Sequence, residues 1–242
     1  MMNNEMEGNI NESYYLCEGL WLDKEKGILI DVNDNDKNIV INDFESKIYV
    51  FKKEVEEWIF HPMDILLNDD INNKSKYKPF KNSIFVLYGI FSYLEKIERY
   101  KSGRNYEEND SQSTKILTFS FKNIFKNKEH EKYGNHKIEN ILNSTRNSLM
   151  HTGNIGDKVL VNYDYENLNA VEYIGSNAEL KKIELNPSKM LDEIKKDFQE
   201  YFKTLHDSTK TEQRKNFEIV FDKIYEDEIK FLNANKNNMI GK

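Results

Sequence analysis

Apolar residues recur every three or four positions in five stretches, about residues 47–68, 80–102, 115–128, 135–152 and 187–206, and this spacing predicts five amphipathic helices. The first carries Ile48, Phe51, Val55, Trp58, Ile59, Ile65 and Leu66, and Pro62 is expected to kink it or start a new helix. The second opens at Pro79 and runs through Ile84, Leu87, Tyr88, Phe91, Leu94 and Ile97, the longest apolar stripe in the chain, so it is expected at the centre of a bundle. Asn186-Pro187 forms an N-cap followed by proline at the first helical position, ahead of Met190, Leu191, Ile194, Phe198, Tyr201, Phe202 and Leu205. HDSTKTEQ breaks that helix, and Phe217, Val220, Phe221, Ile224, Ile229, Phe231 and Leu232 mark a final one.

Period-two patterns are shorter. Gly27–Ile30 and Asn38–Ile41 flank DVNDNDK and predict a hairpin; Lys158–Tyr163, Ala170–Ile174 and Leu180–Leu185 predict a small antiparallel sheet inserted before the last bundle helix. The chain is therefore expected to be mainly α, with an N-terminal β-rich appendage over 1–45, a helical domain over 46–206 with a β insertion at 157–185, and a C-terminal helix and tail over 207–242. Gly103–Thr114 is polar and aperiodic, a loop between two bundle helices and a candidate substrate-facing element.

Composition narrows the function. Of 242 residues, 38% are hydrophobic and 12% aromatic, a globular balance. No apolar run approaches the roughly 18 residues a membrane span requires, and the acidic, Asn-rich start lacks the pattern of a signal peptide, so a cytoplasmic protein is expected. A net charge of −7 argues against coating nucleic acid through bulk electrostatics; any RNA contact must be a local basic patch. Cys17 stands alone, which excludes an intrachain disulfide and fits a small buried hydrophobe. Asp31, Asn33 and Asn35 superficially resemble a calcium loop, but the sixth position is Asp36 and the twelfth Asn42, so the segment reads as an ordinary turn. His61 reads as a half-buried structural histidine, and His130 and His136 as solvated ones. No cofactor or metal is implied.

One stretch concentrates chemistry. In Ile138–Gly153, IENILNSTRNSLMHTG, Ile138, Ile141, Leu142, Thr145 and Leu149 form one helical face, and Gly153 supplies the residue that a left-handed helix terminus favours, so the helix is expected to stop within a residue or two of His151. Arg146 is one of only four arginines, and His151 follows five positions later. At about 100° per residue Asn147 and His151 share a side, whereas Arg146 lies roughly 140° round from His151. The two can share a target if the helix unwinds, if the arginine curls back, or if a second copy supplies the missing group.

RNSLMH at 146–151 resembles the R-x4-6-H motif, with a polar residue after the arginine, of the HEPN ribonuclease superfamily; the similarity extends over roughly Phe80 to His206. The resemblance implies a HEPN-like helical bundle and a metal-independent endoribonuclease. His151 would be general base or acid, Arg146 would stabilise the phosphorane, and Asn147 would orient His151 or the phosphate. It also implies a homodimer with a composite active site, an RNA substrate, and a toxin or phage-defence setting with an antitoxin or defence-system partner. One branch of the family carries a tyrosine two residues after the histidine, where this chain has Gly153, which puts control by a nucleotidyltransferase antitoxin in doubt. Two other readings stay open: a catalytically silent module that binds RNA or a partner, and an unrelated helical interaction protein. On the bland reading of the motif, Arg146 bridges an acid on a neighbouring helix and His151 caps its own helix end.

Overall fold

The structure, a computed structural model, describes residues 13–35, 37–41, 43–72, 79–104, 110–126, 132–162, 169–176 and 179–240. It is mainly helical with two small sheets. The chain divides into two compact units, Met1–Trp58 with Phe221–Lys242, and Ile59–Val220.

In the first unit, β1 (Tyr14–Cys17), β2 (Leu20–Asp23), β3 (Ile28–Asp31) and β4 (Lys37–Ile39) form an antiparallel meander. The expected hairpin is present as β3 and β4, with Leu29 opposite Ile39. Two further strands precede it that β-branched content did not mark. Gly19, at φ +83°, closes the turn that sets Cys17 opposite Leu20, a backbone conformation glycine adopts without steric cost. Leu20, Leu22 and Leu29 are fully buried, and Cys17 is buried with its thiol pushed up to about 12 by burial. Helix α1 (Phe44–Val55) is capped by Asp43, whose carboxylate accepts the Ser46 amide at 2.8 Å. It buries Ile48, Val50, Phe51 and Val55.

The calcium-like turn is built around Asp31, which is fully buried. Its carboxylate accepts a hydrogen bond from the Tyr49 hydroxyl and from the amides of Asn33 (2.9 Å) and Asp34 (3.2 Å), and Lys53 lies 3.5 Å away. Burial alone would raise its pKa; Tyr49, the two amides and Lys53 together hold it below the usual carboxylate range. Asp31 thus folds the turn against α1, which is an ordinary structural use of an Asx residue.

A π-helical turn, Glu56–Phe60, leads into α2 (His61–Asn72). Pro62 offers no N–H and its ring crowds the carbonyl four residues back, so the helix widens by one residue just before it. The sequence predicts a kink or a new helix at Pro62; the π-helical turn ends and α2 begins one residue before it. His61 is exposed, not half-buried as expected, because it sits beside Pro62 on the outer side of the first turn.

In the second unit, α3 (Pro79–Ser102) packs against α2, α4 (Asp110–Ile124), α5 (Asn135–Thr152) and α6 (Pro187–His206). It buries Val86, Leu87, Ile90, Phe91, Tyr93, Leu94, Ile97 and Tyr100, as a central helix should. Phe60, Tyr93 and Phe198 form an aromatic cluster with ring centroids 5.4 Å apart on two sides and 6.5 Å on the third. Helix α4 starts five residues earlier than its apolar stripe, because a polar turn continues a helix without leaving a hydrophobic mark. Part of the expected loop 103–114 is therefore helical, and 105–109 lie outside the described residues.

The inserted sheet contains β5 (Val159–Val161), β6 (Val171–Ser176) and β7 (Glu179–Leu185) in the order β5-β7-β6. The β6–β7 pair is antiparallel as expected, but β5 runs parallel to β7, so this sheet is mixed. Alternation locates strands and is blind to their direction. The Asn186 side chain accepts the Lys189 amide at 3.2 Å at the start of α6, the N-cap the sequence predicts. The expected final helix is two, α7 (Thr211–Ile224) and α8 (Glu226–Ile240), broken at Tyr225 where Glu226, Asp227 and Glu228 begin a new helix whose N-terminal dipole they suit.

Asp31→Ala should destabilise the N-terminal unit by roughly 2–4 kcal/mol, because it orphans a buried hydroxyl, two amides and a lysine at once. Hydrogen exchange should show lost protection of the β3 and β4 amides ahead of those in α3; unchanged protection would refute this role.

Candidate functional site

Helix α5 runs unbroken from Asn135 to Thr152 and ends on Gly153 in the left-handed conformation, φ 66° and ψ 22°. The Gly153 and Asn154 amides donate to the carbonyls of Leu149 (3.2 Å) and Ser148 (3.3 Å), so the terminus is a two-bond glycine cap. The buried stripe is Ile138, Ile141, Leu142, Thr145 and Leu149, the residues the spacing predicts. Thr145 fits there because its hydroxyl donates to the Ile141 carbonyl at 2.8 Å.

Because the helix is continuous, the offset of about 140° between Arg146 and His151 stands. Arg146 turns toward α3, where its Nε and Nη2 donate to the two carboxylate oxygens of Glu95, the second contact at 3.2 Å. The pair is partly buried, with 24% and 14% of the side-chain surfaces exposed. Arg146 Nη1 reaches Asn147 Oδ1 at 3.4 Å, so the arginine and the amide are brought together at the surface. His151 lies on the exposed side of the last turn and makes no hydrogen bond among the described residues. Within one chain, then, Arg146 and Asn147 are joined and His151 stands apart from them.

Glu95 was not singled out from sequence. It lies 51 positions from Arg146, and a glutamate on the polar edge of an amphipathic helix leaves no local mark. What the Glu95 fork does is fix the guanidinium plane, leaving the Nη1 side directed at Asn147 and the surface.

A second polar cluster lies between α3 and α6. Tyr93 Oη and Lys101 Nζ donate to the two oxygens of Asp197 at 2.9 and 2.6 Å. Beside them, burial pushes the Glu98 carboxyl up to about 7; Lys101 and Arg104 oppose the shift and Asp197 adds to it. Burial together with Glu98 and Asp197 also raises the Tyr201 hydroxyl. Cys17, the lone cysteine, is buried in the other unit, and His136 is exposed beside Asn140; His130 lies outside the described residues. Among the described residues no three His, Cys, Asp or Glu side chains are grouped to hold a metal ion, and no helix is long and apolar enough to cross a membrane.

A double-mutant cycle over Arg146→Ala and Glu95→Ala should return a coupling of about 1–2 kcal/mol, above that of an exposed pair because the contact is bidentate and partly covered. A coupling indistinguishable from zero in urea denaturation would show that the fork contributes nothing to stability. Glu98→Gln should be stabilising in a pH-dependent way. Glu98 titrates near 4.5 when unfolded and about 7 when folded, so its ionisation begins to weaken the fold as pH rises past 4.5, and the full penalty is present above 7. After discounting for solvent screening the gain is about 1 kcal/mol at pH 8, and it should vanish at pH 4; equal melting shifts at both pH values would contradict it.

No protein-family model matches this chain, and neither a curated protein nor a solved structure is significantly similar to it.

Proposed function

We propose that this protein is a metal-independent endoribonuclease of HEPN type, cutting RNA through Arg146, Asn147 and His151. The observation that carries the reading is the exposed His151 in the last turn of a bundle helix, five residues after an arginine whose guanidinium is fixed with one edge toward the surface. In the reaction the ribose 2′-oxygen attacks the adjacent phosphorus as its proton passes to a histidine. The P–O5′ bond breaks, the 5′-oxygen takes up a proton, and a 2′,3′-cyclic phosphate remains. Histidine titrates close enough to neutrality for both proton transfers, and arginine presents a permanent charge to the phosphorane oxygens.

A single copy separates His151 from Arg146 by the turn of the helix, which favours a homodimer in which the two motifs face one cleft and each histidine works against the partner's arginine. Two proton transfers also suit two histidines, one as base and one as acid. A toxin or defence role, with an antitoxin or other defence partner, is what the family resemblance adds. The Glu95 fork favours a second reading, a silent HEPN-like module that binds RNA or a partner, since it already neutralises Arg146.

RNA incubated in EDTA with wild type, His151→Ala and Arg146→Ala separates the two readings. On the nuclease reading both variants lose cleavage, by at least the roughly 10²–10⁴-fold that general-base catalysis contributes. His151→Ala should melt with wild type, whereas Arg146→Ala should lose about 1–3 kcal/mol by leaving Glu95 unpaired. Wild type inert on every RNA tried, or variants that cut as well as wild type, would end the nuclease reading.

A further inference from the structure

Helices α4 and α5 carry stretches that are basic and free of acids. Residues 111–128 contain four lysines and no acid, and 140–156 contain Arg146 and His151 and no acid, in a protein whose net charge is −7. Lys115, Phe119 and Lys122 follow one another at four and three residues, and Lys126 comes four later, directly after the end of α4. Lys115, Phe119 and Lys122 span about 60° of the helix surface and about 10 Å of its length, and Lys126 lies just beyond the helix end. Lys115, Phe119 and Lys126 are exposed and Lys122 is half-buried. Phe119 exposes 57% of its surface, although Phe121 and Phe125 on the same segment are buried against the core. Lys115 and Lys126 make no ion pair among the described residues. Lys122 has only Glu139 of α5 for company, and burial pulls its pKa down.

Helix α4 packs on α5, and Lys122 near the end of α4 feels the charge of Glu139 in the second turn of α5. We infer that the Lys115–Phe119–Lys122–Lys126 row is a track for single-stranded RNA, with Phe119 stacking on a base and the lysines following the phosphates. An isolated exposed ring between cations is what a sequence-tolerant single-strand site requires, because every base offers a π-face and every linkage a negative charge. A duplex would hide the faces Phe119 needs. The strand's identity as RNA rests on the ribonuclease reading; the binding of a single strand does not.

The test uses the full chain and a fluorescent 2′-O-methyl oligouridylate, which lacks the attacking hydroxyl, so binding is read without cleavage. Anisotropy titrations at several salt concentrations should show Phe119→Ala weakening binding about tenfold with an unchanged salt slope, and Phe119→Tyr restoring it. Changing Lys115, Lys122 and Lys126 together to Gln should flatten the slope of log Kd against log salt by about 2, at roughly 0.7 per phosphate contact on a single strand. Changing Lys196, Lys203 and Lys210 to Gln removes the same charge from another surface and should leave affinity within about twofold. The inference is overturned if wild type does not bind at low salt, if both lysine triples weaken binding alike, if Phe119→Ala binds as wild type while melting normally, or if a duplex of the same length binds more tightly. Because the probe cannot be cleaved, binding and cleavage are read separately, so the nuclease reading can fail while the track stands, and the track can fail while cleavage stands.

Discussion

A helix packed against four others has to find partners for the polar groups it buries. Helix α3 is in that position, and the polar architecture of its unit follows from it. Asn82 donates to the Leu66 carbonyl and to Asp69, Ser102 donates back to the Glu98 carbonyl, Lys101 reaches Asp197, and Glu95 takes Arg146. Apart from the Ser102 bond, which lies within α3, each contact ties a neighbouring helix to α3 at one register, which apolar packing alone specifies weakly because ridges of similar side chains can slide. Glu98 is a carboxyl with too little compensation, and its raised pKa is the mark of that deficit.

The same demand explains the divided character of the motif helix. The face of α5 turned to α3 gives up Arg146 to satisfy Glu95, and the face turned away keeps His151 in solvent. Arg146 and His151 are thereby separated by helix angle, and the Glu95 fork holds the guanidinium in one plane.

Much of this was legible in the residues. The helix periodicities, the central place of α3, the Asn186 cap, the hairpin about DVNDNDK and the Gly153 terminus all arise from local rules acting over a few positions. What escaped was non-local or unmarked by hydrophobicity. Strands β1 and β2, YYLC and LWLD, are only four residues each and hold no β-branched residue; the direction of β5 depends on the path of its connection; the first turn of α4 is polar; and the break at Tyr225 interrupts a stripe whose period continues across it. At the candidate site, the stripe and the cap follow from spacing, but the partner of Arg146 is set by how two helices pack. No pattern within either helix encodes it.

Gly153 has open space where a side chain would project, with nothing within 4 Å of a Cβ built on it, so a substitution there meets no clash and the whole penalty is conformational. Most other residues would strain this left-handed turn, asparagine least, and loosen the end of the helix that carries His151. A position whose side chain would meet no neighbour is thus still constrained, by the handedness of the backbone alone.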